Sequence, residues 1–264
     1  MDKKFKRVAV CIGSHMRIYK ETAEIFQERF LKNIAEEWDF FIYTTGRIDH
    51  RYPKPDSRQP PMMSDEDIQE IIKLYKPKKI VIDGVDFNNP GSAQRDNGPK
   101  RNRMLYRSKL SNALRHEYEK EAGVEYDCVI KMRPDQIVLE EFTGLDKIDP
   151  HRLGLWPYGR VHDGVTDTFA MGPPHLMDIY FNLADNMEKY EYLGHNGDCR
   201  IELVVQQYLI DEEIDYYDVP VNLLIKRING DEFWFHDQPG AAEWFAKERG
   251  WKWDTNLRKF IDIG

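Results

Sequence analysis

The sequence predicts an α/β fold, a mostly parallel, doubly wound sheet flanked by helices and followed by a mixed C-terminal half. From Arg7 to Met132, short β-branched runs alternate with segments of helical periodicity, the pattern that produces parallel sheets. After Pro134 the alternation loses regularity. The chain has 264 residues, 41% of them hydrophobic, enough to bury a sizeable core without disulfide or metal staples. A sheet of this class opens its ligand crevice at the C-terminal ends of the strands.

The first strand is Arg7 to Ile12, closed by Gly13-Ser14, and a helix follows from about Arg17 to Asn33, with Ile25, Phe26, Phe30 and Leu31 near one face. Gly13 to Met16 matches an expression-tag scar, yet it follows a strand that no tag supplies and is read as native. Trp38 to Tyr43 is the second strand. Ser64-Asp-Glu-Asp67 carries an N-cap signature for a helix to about Tyr75, and Lys79 to Ile82 is the third strand. A loop rich in Gly, Asn and Pro spans Gly84 to Pro99. Next comes a basic helix from Asn102 to Glu121, with Leu110, Ala113, Leu114 and Tyr118 as its buried stripe, and then a fourth strand, Tyr126 to Met132.

In the second half, Leu153 to Trp156 and Thr168 to Met171 are short strands, and Pro174 to Asn186 and Asp198 to Leu209 are helices. Tyr216 to Ile225 reads as one further strand. The tail from Phe233 holds four of the six tryptophans, Trp234, Trp244, Trp251 and Trp253. With no repeat and no clear linker, residues 1–264 are expected to form one domain.

A net charge of -8 argues against general nucleic-acid affinity. The charge is nevertheless segregated: Arg95 to Arg115 is strongly basic and Asn182 to Asp218 strongly acidic. Either these are solvated helix faces, or the first meets an anionic ligand and the second a cation or a hydroxyl-rich substrate. Three scattered cysteines, Cys11, Cys128 and Cys199, form neither a disulfide framework nor a CxxC zinc site. No signal peptide or membrane span is evident, so the expected location is the cytoplasm.

Neither GxGxxG after the first strand nor GxxxxGK[ST] occurs, which removes the usual dinucleotide and P-loop cues. The pairs His162-Asp163 and His236-Asp237 suit a metal phosphohydrolase, but the alternating strands conflict with the helical scaffold expected of that class. The most informative segment is Lys131-Met-Arg-Pro-Asp135, at the end of the fourth strand. A carboxylate there, fixed by Pro134, can hold a divalent cation while Lys131 and Arg133 neutralise diphosphate oxygens. Alternatively, Arg133 and Asp135 only pair with each other.

Four segments carry a resemblance to a family of small GT-A-type glycosyltransferases of bacterial surface-polysaccharide loci and large DNA viruses of algae. Val8 to Tyr19 resembles the family's opening strand and its Gly/Ser-x-x-Arg turn, and Tyr126 to Asp135 resembles the strand ending in R-x-R-x-D. Asp167-Thr-Phe-Ala-Met-Gly172 with Met177-Asp-Ile-Tyr180 is the third, and Glu202 with Tyr208-Leu209 the fourth. Together they cover most of residues 7–215. Lys131 stands where the family commonly has Arg, and His195-Asn-Gly-Asp-Cys-Arg-Ile-Glu202 replaces its His-Pro-Glu.

The resemblance implies a GT-A-like fold, with residues 1–135 as a nucleotide-sugar-binding half and 136–264 as an acceptor half with an aromatic tail. It implies transfer from a nucleoside-diphosphate sugar, such as a UDP-sugar, to a glycan or glycoprotein hydroxyl. Asp135 would then hold Mn²⁺ or Mg²⁺, with His236 as a further metal ligand. Gly13, Ser14, Arg17, Arg103, Arg107 and Arg133 would line the donor site. For an inverting reaction the general base is expected to be Glu202, with Asp167 and Asp198 as competitors. On this reading Asp135→Ala abolishes metal-dependent donor binding and spares the fold. The alternatives are a nucleotide-sugar-binding protein without catalysis, or the phosphohydrolase.

Overall fold

A computed structural model describes residues 3–46, 63–83, 102–156, 165–195, 198–199, 201–225, 251–254 and 259–262. Its centre is a seven-stranded sheet in the order β10-β6-β7-β4-β1-β2-β3. These strands are β1 (Phe5–Ile12), β2 (Ala35–Thr45), β3 (Lys79–Asp83), β4 (Cys128–Met132), β6 (Leu153–Leu155), β7 (Ala170–Gly172) and β10 (Tyr216–Asp218). Six run in one direction and β7 is antiparallel to both its neighbours. The predicted mostly parallel sheet with flanking helices is therefore what forms.

The strand order reverses between β1 and β4, so the chain after each of these strands leaves the sheet at the switch point, where open α/β sheets hold ligands. Alternation along β1 explains why it is central. Val8, Val10 and Ile12 enter one apolar cluster, Ala9 and Cys11 enter the other, and all five are fully buried. A strand covered on both faces needs such a continuous apolar run.

One cluster packs under α1 (Tyr19–Phe26) and α2 (Asp65–Tyr75). The helix predicted over 17–33 begins later and is not uniform: α1 passes into a π turn, Gln27–Leu31, and a last helical turn, Lys32–Ile34. Phe26, Phe30, Leu31 and Ile34 are all buried by it. Phe30 meets Phe142 edge-on at 5.1 Å and Phe169 at 5.7 Å, contacts worth about 0.5–1.5 kcal/mol each beyond area burial. The Ser64 N-cap is realised as a full capping box with Asp67.

The other cluster packs under α3 (Asn102–Ala122), α4 (Pro174–Asn186) and α5 (Ile201–Asp211). The buried stripe expected on α3 is corrected. Leu114 is buried, but Leu110 and Ala113 are only partly covered, while Ser108, Ser111, Asn112 and Arg115 are buried. These polar groups are tolerated because they are bonded. Arg115 donates to Asn112 Oδ1 at 2.8 Å, Glu119 Oε1 at 2.8 Å and Asp178 Oδ1 at 2.5 Å, which fastens α3 to α4.

Two further boundaries differ from expectation. The strand predicted over 216–225 breaks at Pro220 into β10 and β11 (Leu223–Ile225), and β11 pairs antiparallel with β5 (Gln136–Val138) in a separate two-stranded sheet. Proline cannot donate to a ladder, so the chain changes sheets there. The helix expected from Asp198 starts at Ile201, because Gly194–His195 and Asp198–Cys199 pair as the short strands β8 and β9. In the tail, Trp251–Asp254 and Lys259–Asp262 pair as the antiparallel strands β12 and β13. Among the described residues, no helix is long and apolar enough to cross a membrane.

Candidate functional site

The site begins where β1 ends. Gly13 runs directly against α3: a Cβ there would stand 2.2 Å from the Cα and N of Ser108 and 2.4 Å from the carbonyl carbon of Arg107. Only glycine permits that approach. It brings Arg107, which is buried, to the strand end. His15 Nδ1 lies 2.8 Å from Thr45 Oγ1, tying the turn to the end of β2. Ile18 then adopts a left-handed conformation, φ 50°, before α1 starts. A β-branched residue there is a genuine outlier, with a cost of about 1–3 kcal/mol, and such strain concentrates at functional turns.

The chain after β4 forms the other wall of the crevice. Gln136 N–H donates to the Arg133 carbonyl at 3.2 Å and Arg133 N–H donates to Gln136 Oε1 at 2.9 Å, closing a tight turn around Pro134 and Asp135. The Thr22 hydroxyl donates to the Pro134 carbonyl and fixes the turn against α1. Asp135 is 1% exposed. Arg133 donates to it through Nε (2.9 Å, to Oδ1) and Nη2 (2.6 Å, to Oδ2), and Arg17 Nη1 lies 3.6 Å from Oδ2. An Arg17–Asp135 ion pair therefore spans the switch point between β1 and β4.

Lys131, the last but one residue of β4, is also buried. Its Nζ donates to the Asp167 carbonyl and stands 5.9 Å from the centre of the Tyr180 ring. Burial pushes its ammonium pKa down to about 8, with Asp167 opposing and Arg133 adding to the shift. Because β7 runs antiparallel to β4, the segment leading into β7 lies beyond the end of β4. There Thr166, Asp167 and Thr168 are buried, and the two threonine hydroxyls meet at 2.8 Å. Val165 N–H donates to the Glu202 carbonyl at 3.2 Å, placing the first turn of α5 beside this segment. Glu202 is partly exposed.

The structure thus brings Gly13, Ser14, Arg17, Arg107, Lys131, Arg133, Asp135, Asp167 and Glu202 to the C-terminal edge of the parallel strands. Arg103 lies in the first turn of α3, and its side chain is outside the described residues. Asp198 sits on β9 rather than on a helix, and its side chain is likewise outside them. His162, Asp163, His236, Asp237, Trp234 and Trp244 lie outside the described residues altogether. A cavity of about 430 Å³ between Glu140–Gly144 and Pro220–Asn222 contains none of the site residues.

Sequence reasoning missed Gln136, Thr22, His15 and Thr45. Only Gln136 had a local signal, since it adjoins the Lys131–Asp135 motif; the others are brought in by contacts between distant segments. Among the described residues, polar atoms at or beside the site that are buried without a hydrogen-bond partner include Ser14 Oγ, Gln136 Nε2 and Tyr180 Oη. A buried polar atom left unpaired costs about 1–3 kcal/mol; Gln136 Nε2 can only donate, while the Ser14 and Tyr180 hydroxyls can donate or accept.

The same donor set decides how a metal ion fits. Both Asp135 oxygens accept from the Arg133 guanidinium and Arg17 Nη1 lies 3.6 Å from Oδ2, while Lys131 Nζ is turned to the Asp167 carbonyl. Among the described residues, no group of three or more His, Cys, Asp or Glu is placed to hold a metal ion. As arranged, Arg17, Arg133 and Asp135 suit an oxyanion better than Mn²⁺ or Mg²⁺, and His236, the other expected ligand, lies outside the described residues.

No protein-family model matches the chain, and no curated protein matches it. Among solved structures, the chain is similar to the apo form of the glycosyltransferase GlyE of Streptococcus pneumoniae TIGR4, at 14% identity and a TM-score of 0.38, over 80% of this chain and 45% of that one. A second structure of GlyE from the same organism gives 13% identity and a TM-score of 0.38, over 83% and 46%. The chain spans less than half the length of these glycosyltransferase chains.

Proposed function

We propose that the chain is a GT-A-like glycosyltransferase, which moves a sugar from a nucleoside-diphosphate sugar, such as a UDP-sugar, to a hydroxyl of a glycan or glycoprotein acceptor. The observation that carries this reading is the joining of opposite charges at one edge. Arg17, Lys131 and Arg133 form a buried cationic cluster at the β1/β4 switch point, and Asp167 and Glu202 lie on the neighbouring β7 and α5 side. The family resemblance in residues 126–135 and 167–180 falls on these same positions.

In this reaction the acceptor oxygen attacks the anomeric carbon, and the bond from that carbon to the diphosphate oxygen breaks. The electron pair leaves on the diphosphate, where Lys131, Arg133 and Arg17 stabilise it as it develops. The hydroxyl proton passes to a carboxylate on the opposite side of the sugar. Glu202 takes that role, being partly exposed where Asp167 is 5% exposed and held beside Lys131. Arg107 and the backbone around Gly13 and Ser14 border the donor at the end of β1.

The test is turnover. The full chain is incubated with UDP-, GDP-, CMP- and dTDP-sugars and a mixture of oligosaccharide acceptors. Released nucleotide and the acceptor mass shift are then measured. One donor class is expected to give both products, with Glu202→Gln lowering kcat by about 10²–10⁴-fold and leaving donor affinity in place. Tight binding without turnover in the presence of competent acceptors would instead identify a nucleotide-sugar-binding protein, and phosphate release from simple esters a phosphohydrolase.

A further inference from the structure

The cationic cluster also bears on how the leaving group is held, an inference that rests on the donor reading above. Two independent features of the same few residues agree. Asp135, the carboxylate at the position of a metal ligand, already accepts two bonds from Arg133, at 2.9 and 2.6 Å, and lies 3.6 Å from Arg17 Nη1. A divalent cation would have to displace a bidentate guanidinium and would sit beside a second one, that of Arg17. Separately, Gln136 Nε2 and Tyr180 Oη are buried without an acceptor, on side chains 0% and 1% exposed.

Each of these side chains adjoins one member of the cluster. Gln136 bonds the Arg133 backbone, and the Tyr180 ring stands 5.9 Å from Lys131 Nζ. The Gln136 amide nitrogen can only donate. A metal ion offers it nothing, whereas the oxygens of a diphosphate accept from amide, hydroxyl, ammonium and guanidinium alike.

We propose that the nucleoside diphosphate is bound and its charge neutralised without a divalent metal, by Lys131, Arg133 and Arg17 together with the Gln136 and Tyr180 donors. Asp135 is then a positioning residue: its two oxygens fix the plane of the Arg133 guanidinium and attract that of Arg17, and it touches neither metal nor donor. Lys131 suits this role because an ammonium inside the sheet edge meets the diphosphate as a point charge, while Arg133 keeps its fork engaged on Asp135.

The experiment is calorimetric titration of the full chain with UDP, GDP and dTDP, once in EDTA and once in excess Mn²⁺. The expected result is one nucleotide that binds in both, with Kd values within about twofold. Arg133→Gln/Asp135→Asn, which removes both charges of the buried pair together and so protects the fold, weakens binding by about thirtyfold or more in both conditions. Asp135→Asn alone weakens it by the same factor with and without Mn²⁺, which a metal ligand would not do. Binding that requires Mn²⁺ overturns the inference and leaves the glycosyltransferase reading standing. Absence of binding by every nucleotide in both conditions overturns the two together, and metal-free binding that survives Arg133→Gln/Asp135→Asn overturns the assignment of the cradle.

Discussion

Arg133 and Asp135, two residues apart in sequence, form a bidentate ion pair at 2.9 and 2.6 Å inside the sheet edge, with the carboxylate 1% exposed. Sequence spacing alone left two meanings open for this pair, and in the structure the two residues bind each other. The expectation that Asp135→Ala spares the fold changes with it. Removing the carboxylate takes from two nearly buried guanidiniums a counter-charge that they share, a loss of about 3–5 kcal/mol. Urea unfolding of Asp135→Ala should report a midpoint well below wild type; an unchanged midpoint would show that the pair is not buried in solution.

Lys131 makes stability depend on pH in a defined window. Its pKa is 10.5 when exposed in the unfolded chain and about 8 in the fold. Between those values the unfolded chain holds a proton that the folded chain has released, so stability rises with pH across that interval and is lowest below it. The full effect is roughly 3 kcal/mol. Buried Cys11, Cys128, Tyr75 and Tyr180, whose pKa values burial raises, pull stability down with rising pH in wild type and Lys131→Met alike. The expected result is therefore that wild type gains on Lys131→Met from pH 7.5 upward; parallel curves would mean that no buried ammonium is present.

Gly13 is required by contact. A Cβ 2.2 Å from Ser108 Cα meets backbone that cannot rotate away, so Gly13→Ala must push α3 from β1. The expected cost is about 3 kcal/mol, together with weaker donor binding through the displaced Arg107. Thermal unfolding and nucleotide affinity of the variant check both parts, and a variant as stable as wild type would contradict the close packing.

Lys76 closes α2 in the left-handed region, φ 45°, with its N–H bonded to the Ile72 carbonyl at 2.9 Å. Glycine adopts that conformation without the steric cost of a Cβ, so Lys76→Gly should stabilise the protein by about 1 kcal/mol. Donor affinity should not move, because the substitution leaves the backbone of α2 in place. A fall in denaturation midpoint would mean that the lysine side chain contributes more than its backbone costs.

Much of the fold was legible because the central strands are covered on both faces. Their apolar runs, such as Val8 to Ile12, leave little ambiguity, and the Ser64–Asp67 capping box marks its helix start with local chemistry. Short edge elements were not legible: β5 is three residues long, and the change of sheet at Pro220 depends on a partner strand more than eighty residues earlier. The polar buried face of α3 ran against periodicity, since Arg115 is held inside by Asp178 from a different helix.

The site divides in the same way. The strand-end motif from Lys131 to Asp135 was readable from residue type and position. Its companions on other segments, Thr22 on Pro134, His15 on Thr45 and Tyr180 beside Lys131, arise only when the sheet brings distant turns together. Even within the motif, spacing could not say whether Asp135 faces a metal or a guanidinium, because that depends on the rotamer of Arg133 and on Arg17 from across the switch point.

The central claim is that the switch-point cluster binds a nucleotide sugar, and a thermal-shift series on the full chain with UDP-, GDP-, CMP- and dTDP-sugars, each in EDTA and in Mn²⁺, tests it most directly. A ligand that binds only the folded state adds about 2.7 kcal/mol at one hundred times its Kd. The expected result is a rise in melting temperature for one nucleotide class, present in EDTA and lost in Arg133→Gln/Asp135→Asn. No rise for any class in either condition would contradict it.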